Sequence, residues 1–376
     1  MNQLKKLYFI FIQISFVMYA KLSLIKSFIQ VCILRNQTRF VNSLNYFRVV
    51  KNGTMRSDVA LIAIYPENSS IYAKSMINLL NGLVRAKVTP VIISNGPIPE
   101  LLLEILEKYD AFIVFRKNRG RDFGAYKYGI LWLQTNFGLN FKSLYLINDT
   151  LFWHSDSTDI LRSLQNKTWG GLFLNLARET HVNSFFMKFE FDILQDFHFV
   201  EFWKKYLPSQ FKRHAIHKGE ILLSTTLIKA GYMPEVLVSS EFIFSRISTL
   251  NKNLTNVLSS IPPVSLHPSS DHFFPEAVNT EVVSDFRVRR ATLSRFCGAR
   301  LYRDTPHALG LHLAVLAYFP VKRDLYKYYS LSEIHNVLNE IDTDFAKDVV
   351  ADFEHLMTKR MLATRRQRVL KLLGEA

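Results

Sequence analysis

From Asp58 onward the chain alternates short apolar runs with segments of helical spacing, and few folds accept that rhythm. Val59-Ala60-Leu61-Ile62-Ala63-Ile64 is continuously apolar, as a strand buried on both faces must be. Tyr65-Pro66 stops it. Residues 71–86 then place Met76, Leu79, Leu80, Leu83 and Val84 on one helical face. A second apolar run, 88–93, ends in Ser94-Asn95-Gly96-Pro97, a strong turn signal. A helix over 101–109, a strand over 111–115, a helix over 123–137 and a strand over 143–147 continue the series. Strands alternating with helices predict an α/β fold: a Rossmann-type, mostly parallel sheet flanked by helices, ordered by right-handed crossovers. After Asn148-Asp149-Thr150 the rhythm loosens. Segments 170–176 and 184–189 read as further strands, antiparallel in character, and 197–206 and 220–230 as helices. The aromatics Phe185, Phe186, Phe189 and Phe191 read as core. Beyond Pro262 the chain reads as helical and irregular. The expected organisation is an apolar and basic N-terminal segment at 1–57, a catalytic domain at 58–260, and a mainly helical C-terminal region at 261–376 ending in a basic helix.

Charge narrows the partners. The chain of 376 residues carries a formal net charge of +15, which favours a polyanionic partner. The basic residues crowd toward the ends, at Lys5, Lys6, Lys21 and Lys26 and again at Lys359, Arg360, Arg365, Arg366, Arg368 and Lys371. That distribution suits an anionic membrane surface better than a nucleic-acid groove, and no nucleic-acid-binding motif is present. The apolar run 7–20 is too short to span a bilayer comfortably. It reads as an interfacial anchor, with a buried helix and a cleaved signal as alternatives. Cys32 and Cys297 lie far apart, with no metal-ligand spacing, which points to a reducing compartment.

In open parallel sheets ligands bind at the carboxyl ends of the strands, so the loops after the strands are the places to search. Arg116-Lys117-Asn118-Arg119-Gly120-Arg121-Asp122-Phe123-Gly124-Ala125-Tyr126-Lys127 is the densest polar stretch and opens a helix. Backbone N–H groups and the helix dipole favour an anion there, and Arg116, Lys117, Arg119 and Arg121 suit a diphosphate. The plainer alternative is a capped helix start with solvated charges. Asp149, at the tip of a central strand, is costly to bury unpaired. It could hold a divalent cation, Mg or Mn, or simply cap the next turn. Glu220, after His214 and His217, reads either as a first-turn carboxylate favoured by the dipole or as a general base. Any basic strength would have to come from desolvation.

Residues 117–127 resemble the signature of the rhamnan synthesis protein F family. Leu146-Ile147-Asn148-Asp149-Thr150 is similar to its Asn-Asp strand end. Trp169-Gly170-Gly171, the stretch 183–189, Thr305-Pro306-His307-Ala308-Leu309 and Phe319-Pro320-Val321-Lys322-Arg323-Asp324-Leu325 resemble its later elements. The resemblance implies a GT-A-like glycosyltransferase that builds bacterial surface polysaccharide, rhamnose-containing or related. It implies a nucleotide-sugar donor and a glycan or lipid-linked acceptor, and the basic, apolar chain ends add a cytoplasmic location peripheral to the inner membrane. It carries donor binding to Asn118, Gly120, Arg121, Asp122, Lys127, Asn148, Lys322 and Arg323. It places the metal motif at Asp149 and the catalytic base at Glu220. Three departures stand out: one carboxylate in the metal motif, Asp324 for the expected Glu, and Gly219 where the family type has an acid before Glu220. The rival reading is a non-catalytic scaffold or carbohydrate-binding protein that kept the fold and lost transfer.

Overall fold

The computed structural model describes residues 47–175, 179–238, 320–327 and 347–359. The expected membrane segment, the Thr305–Leu309 element and most of the C-terminal basic helix lie outside them. Among the described residues no helix is long and apolar enough to cross a membrane.

The expected alternation is present. Strands β2 (Asp58–Ile64), β3 (Val88–Ser94), β4 (Phe112–Arg116) and β5 (Ser143–Asn148) are joined by helices α1 (Ser70–Arg85), α2 (Glu100–Glu107) and α3 (Arg121–Phe137). They pair in parallel in the order β4-β3-β2-β5. β3 is buried at all seven positions, as its run of apolar residues requires. Alternate side chains serve opposite faces. Ala60, Ile62 and Ile64 pack with α1 and α2, whereas Val59, Leu61 and Ala63 pack with α3.

The sheet extends past this parallel centre on both sides. β1 (Phe47–Lys51) pairs antiparallel with β4, so the sheet begins before Asp58, inside the segment read as N-terminal. On the other side β9 (Phe186–Glu190) runs antiparallel to β5 and to β7 (Trp169–Asn175), as expected of these two strands. The short β8 (His181–Val182) also pairs with β7, and β10 (Glu235–Val238) closes that side in parallel with it. Helices α4 (Thr158–Leu164), α5 (Phe191–Gln195) and α6 (Phe197–Lys205) cover the flanks. Phe185, Phe186 and Phe189 are core, but Phe191 is 45% exposed.

Two features bear on the site. β2 leads through α1 to β3 on one side, while β5 lies on its other side, so the strand order reverses between β2 and β5. Such a switch point opens a crevice at the carboxyl ends. The second feature is a small separate sheet. β6 (Leu151–Phe152), just after Asp149, pairs antiparallel with β11 (Val321–Lys322), which arrives from far along the chain.

Candidate active site at the sheet's switch point

The loop after β4 is organised from within. Arg116 is buried and donates to Asn95 Oδ1 at 2.7 Å, to the Arg121 carbonyl at 3.2 Å and to the Arg119 carbonyl. Burial lowers its pKa to about 10. Its guanidinium thus ties the loop together from within. Gly120 sits at φ +82°, and Arg121 follows at φ +58°. A Cβ on Gly120 would lie 2.1 Å from Pro208 Cβ, so both its φ and its close approach demand glycine. This turn delivers Arg121 and Asp122 to the start of α3.

The loop and the β5 tip meet. Tyr65, the residue after β2, donates its backbone N–H to Asp149 Oδ2 at 2.6 Å and its hydroxyl to Asn118 Oδ1 at 2.6 Å. Asn148 Nδ2 donates to Asp122 Oδ2 at 3.0 Å. Asn148 Oδ1 in turn accepts from the Thr150 amide and hydroxyl. The carboxyl ends of β2 and β5 thus bring Asn118, Asp122, Asn148 and Asp149 together.

Asp149 Oδ2 also accepts from the Tyr72 hydroxyl at 2.9 Å. Burial raises its pKa to about 6, opposed by the Tyr65 N–H, by the Arg323 charge and by Tyr72. Arg323 packs over the Tyr72 ring at 5.2 Å. It is itself buried, with Nε 3.0 Å from Asp352 Oδ2 and Nη2 2.7 Å from Asp352 Oδ1 and 3.1 Å from Glu67 Oε2. Lys359 pairs with the same Glu67 at 3.1 Å. Helix 347–359 is thereby clamped behind Asp149.

The structure gives two of the expected donor-binding cations other partners. Arg323 is committed to the clamp. Lys127 donates to the carbonyls of Lys204 at 3.0 Å and Tyr206 at 2.6 Å, at the C-terminal end of α6, and burial lowers its pKa to about 8. Lys322 differs from both. The pairing of β11 with β6 sets its ammonium 4.5 Å from the Phe185 ring centroid, and its charge is felt at Glu220.

Glu220 is not in a first turn. The helix starts earlier, as α7 (Lys212–His214), runs through a π-helical stretch, Ala215–Ile221, and continues as α8 (Leu222–Lys229). Gly219, which stands where the family type has an acid, lies within this continuous stretch. A Cβ there would lie 2.7 Å from the Phe123 ring, so packing against the start of α3 excludes an acidic side chain. The dipole argument for Glu220 falls with this correction. Its carboxylate is buried and accepts from Asn183 Nδ2 at 3.2 Å, the Ser184 N–H at 3.1 Å and the Ser184 hydroxyl at 3.2 Å. Burial raises its pKa, opposed by His181 and the Ser184 N–H, while Asp122 adds to the rise. Tyr126, whose hydroxyl donates to the Ser184 carbonyl at 3.0 Å, links α3 to this turn.

Sequence reasoning missed Tyr65, Tyr72, His181, Asn183 and Ser184 as site residues. The turn signal after β2 could have flagged Tyr65. The rest are ordinary residues made specific only by tertiary contact.

The donor set at Asp149 fits a divalent cation in one limited way. Among the described residues no group of three or more His, Cys, Asp or Glu could hold a metal. One carboxylate suffices only where phosphates and water supply the remaining ligands.

Residues 90–254 match the family model described as rhamnan synthesis protein F. They span the loop after β4, the β5 tip and the 169–171 and 183–189 segments on which the sequence resemblance rested, and Glu220 as well, but not the segments at 305–309 and 319–325. A curated relative from Sinorhizobium fredii, "Uncharacterized protein y4gN", is 28% identical over 210 residues, which cover 54% of this chain and 54% of that protein. The chain thus spans about half the length of the curated relative it matches. Solved structures show more distant likeness. The 4-diphosphocytidyl-2C-methyl-D-erythritol synthase of Anaerococcus prevotii is 11% identical, covering 50% of this chain and 94% of that one, at a TM-score of 0.31. The mannosyltransferase Ktr4p of S. cerevisiae is 7% identical, covering 48% and 68%, at 0.28. Mouse xyloside xylosyltransferase 1 is 11% identical, covering 49% and 86%, at 0.28.

Proposed function

We propose that the chain is a GT-A-like glycosyltransferase that moves a sugar, rhamnose or a related hexose, from a nucleoside-diphosphate donor to a glycan or lipid-linked acceptor in surface-polysaccharide assembly. The observation that carries this reading is the meeting of the 118–122 loop and the Asn148-Asp149 tip at one switch point, with the buried Glu220 hydrogen-bonded to the neighbouring 183–184 turn. The match to the rhamnan synthesis protein F family supports it.

In this mechanism Glu220 takes the proton from the acceptor hydroxyl as that oxygen attacks the anomeric carbon. The bond to the donor phosphate breaks, and its electron pair leaves with the diphosphate. A carboxyl whose pKa burial has raised is a better base near neutral pH than a solvated one. Arg121, Lys322 and the N-terminus of α3 supply fixed positive charge for the leaving group, where such charge acts most strongly. Asn118, Gly120, Asp122 and Asn148 shape the donor side. Asp149 would hold a divalent cation through one carboxylate, and a bound cation would supply further neutralisation of the diphosphate. The basic, apolar chain ends would keep the enzyme at the cytoplasmic face of an anionic membrane.

The single carboxylate at Asp149 is the one observation favouring the rival, a scaffold without transfer. Donor-dependent release of nucleoside diphosphate, with Mg or Mn present, separates the two. Release above background that is lost in Asp149→Ala supports transfer. Thermal stabilisation by a nucleotide sugar with no release supports the scaffold.

A further inference from the structure

Glu220 has a neighbour that the mechanism above does not use. His181 lies in β8, 5% exposed, with Nε2 3.8 Å from Glu220 Oε1. Its other ring nitrogen, Nδ1, lies 2.6 Å from the Glu179 carbonyl oxygen. A carbonyl oxygen only accepts, so Nδ1 must carry a proton. That contact fixes the tautomer and turns Nε2 toward the carboxylate. If Nε2 were bare, its lone pair would face a carboxylate oxygen inside the protein, which is unfavourable.

We propose that His181 is a positioning residue for Glu220: the ring, locked through Nδ1 to the Glu179 carbonyl, holds Nε2 facing the carboxylate at 3.8 Å and so fixes the setting in which Glu220 works. Its functional meaning rests on Glu220 being the base; its structural content does not. With the proton on Nε2, Glu220 stays ionised and its three hydrogen bonds hold both oxygens for attack on a hydroxyl proton. Other charges face the carboxylate as well. Asp122, at the start of α3, disfavours its ionised form, and Lys322, in β11, favours it. Tyr126 from α3 touches the same turn through the Ser184 carbonyl. Of these, His181 is the one held by a contact of its own, through Nδ1 to the Glu179 carbonyl.

The test uses the full chain labelled with ¹⁵N-histidine and followed by NMR across pH. The neutral ring of His181 is expected as the Nδ1–H tautomer. In Glu220→Gln the Nε2 resonance should move, since the facing negative charge is gone. An Nε2–H tautomer in the wild type, or an Nε2 resonance unchanged in Glu220→Gln, overturns the proposal. The tautomer measurement needs no variant, so it decides even if Glu220→Gln does not fold. Neither arm needs a substrate, so failure of the transfer reading leaves this result intact. Where transfer is measured, His181→Gln should move the acid limb of the rate profile upward by about one pH unit. A slower enzyme with an unmoved limb would show packing alone and would also overturn the proposal.

Discussion

The site has two carboxylate stations, built in opposite ways. Asp149 stands at the end of a parallel strand, and its donors come from the adjacent strand end and the helix beyond it: the Tyr65 amide and the Tyr72 hydroxyl. The strand end sets its position, and the clamp around Arg323 braces it from behind. Glu220 stands inside a helix that departs from α geometry, and its donors come from a single turn on another element. Insertions of this π-helical kind recur at functional sites because they re-aim side chains that regular geometry would misplace. One station is a product of topology and the other of a local irregularity, so different changes should break them.

The sharpest separation is chemical. Glu220→Gln keeps shape and an acceptor oxygen but cannot take a proton, and should lower kcat by about 10²–10⁴-fold. Donor affinity, read by thermal shift, should stay near the wild-type value. A loss of donor binding equal to the loss of rate would erase the distinction between the stations.

Next in size is the brace. Arg323→Met leaves the buried Asp352 without the Arg323 cation, while Glu67 keeps Lys359, and breaking a buried pair costs about 3–5 kcal/mol. Denaturant unfolding should show that loss. An unchanged midpoint would mean that Asp149 stands without the clamp.

The third effect is a pH dependence. Asp149 titrates near 6 in the fold, above its ordinary 3.8. Between those values the folded chain binds the extra proton, so this group's contribution to stability falls as pH rises from about 4 to about 6. Asp149→Asn cannot titrate. Its stability relative to wild type should therefore rise between pH 4.5 and 7.5, and a constant difference would contradict the raised pKa.

A smaller effect tests Gly219. Placing a methyl group against Phe123 should cost about 1–3 kcal/mol as overpacking and lower Tm. A neutral Gly219→Ala would mean that packing does not exclude a side chain there. The smallest concerns Lys127, whose ammonium is held by two carbonyls of the chain. Lys127→Met should lower Tm while leaving donor affinity within about twofold. A tenfold weaker donor would return Lys127 to the binding residues.

The same contrast explains how much could be read beforehand. β2 to β5 and the helices between them were legible because buried strands and amphipathic helices write their periods locally. So was the polar loop at 116–127, along with Asp149 at its strand tip. Glu220 could be named, but its setting could not: Gly219 stands out only as a missing acid, whereas Phe123, some ninety-six residues away, occupies the space a side chain there would need. The partners of Lys127 lie about eighty residues away at the end of α6. Those of Arg323 lie in a helix after residue 346 and in the loop after β2. Local pattern holds no record of either. β1, β6, β10 and β11 are short, and only pairing makes them strands.

Tyr65 reaches Asp149 through the main chain and Asn118 through its phenol. The first contact survives any replacement except proline; the second belongs to tyrosine alone. A change at this position could thus retune how the 118–122 loop is held without disturbing the acid beside it.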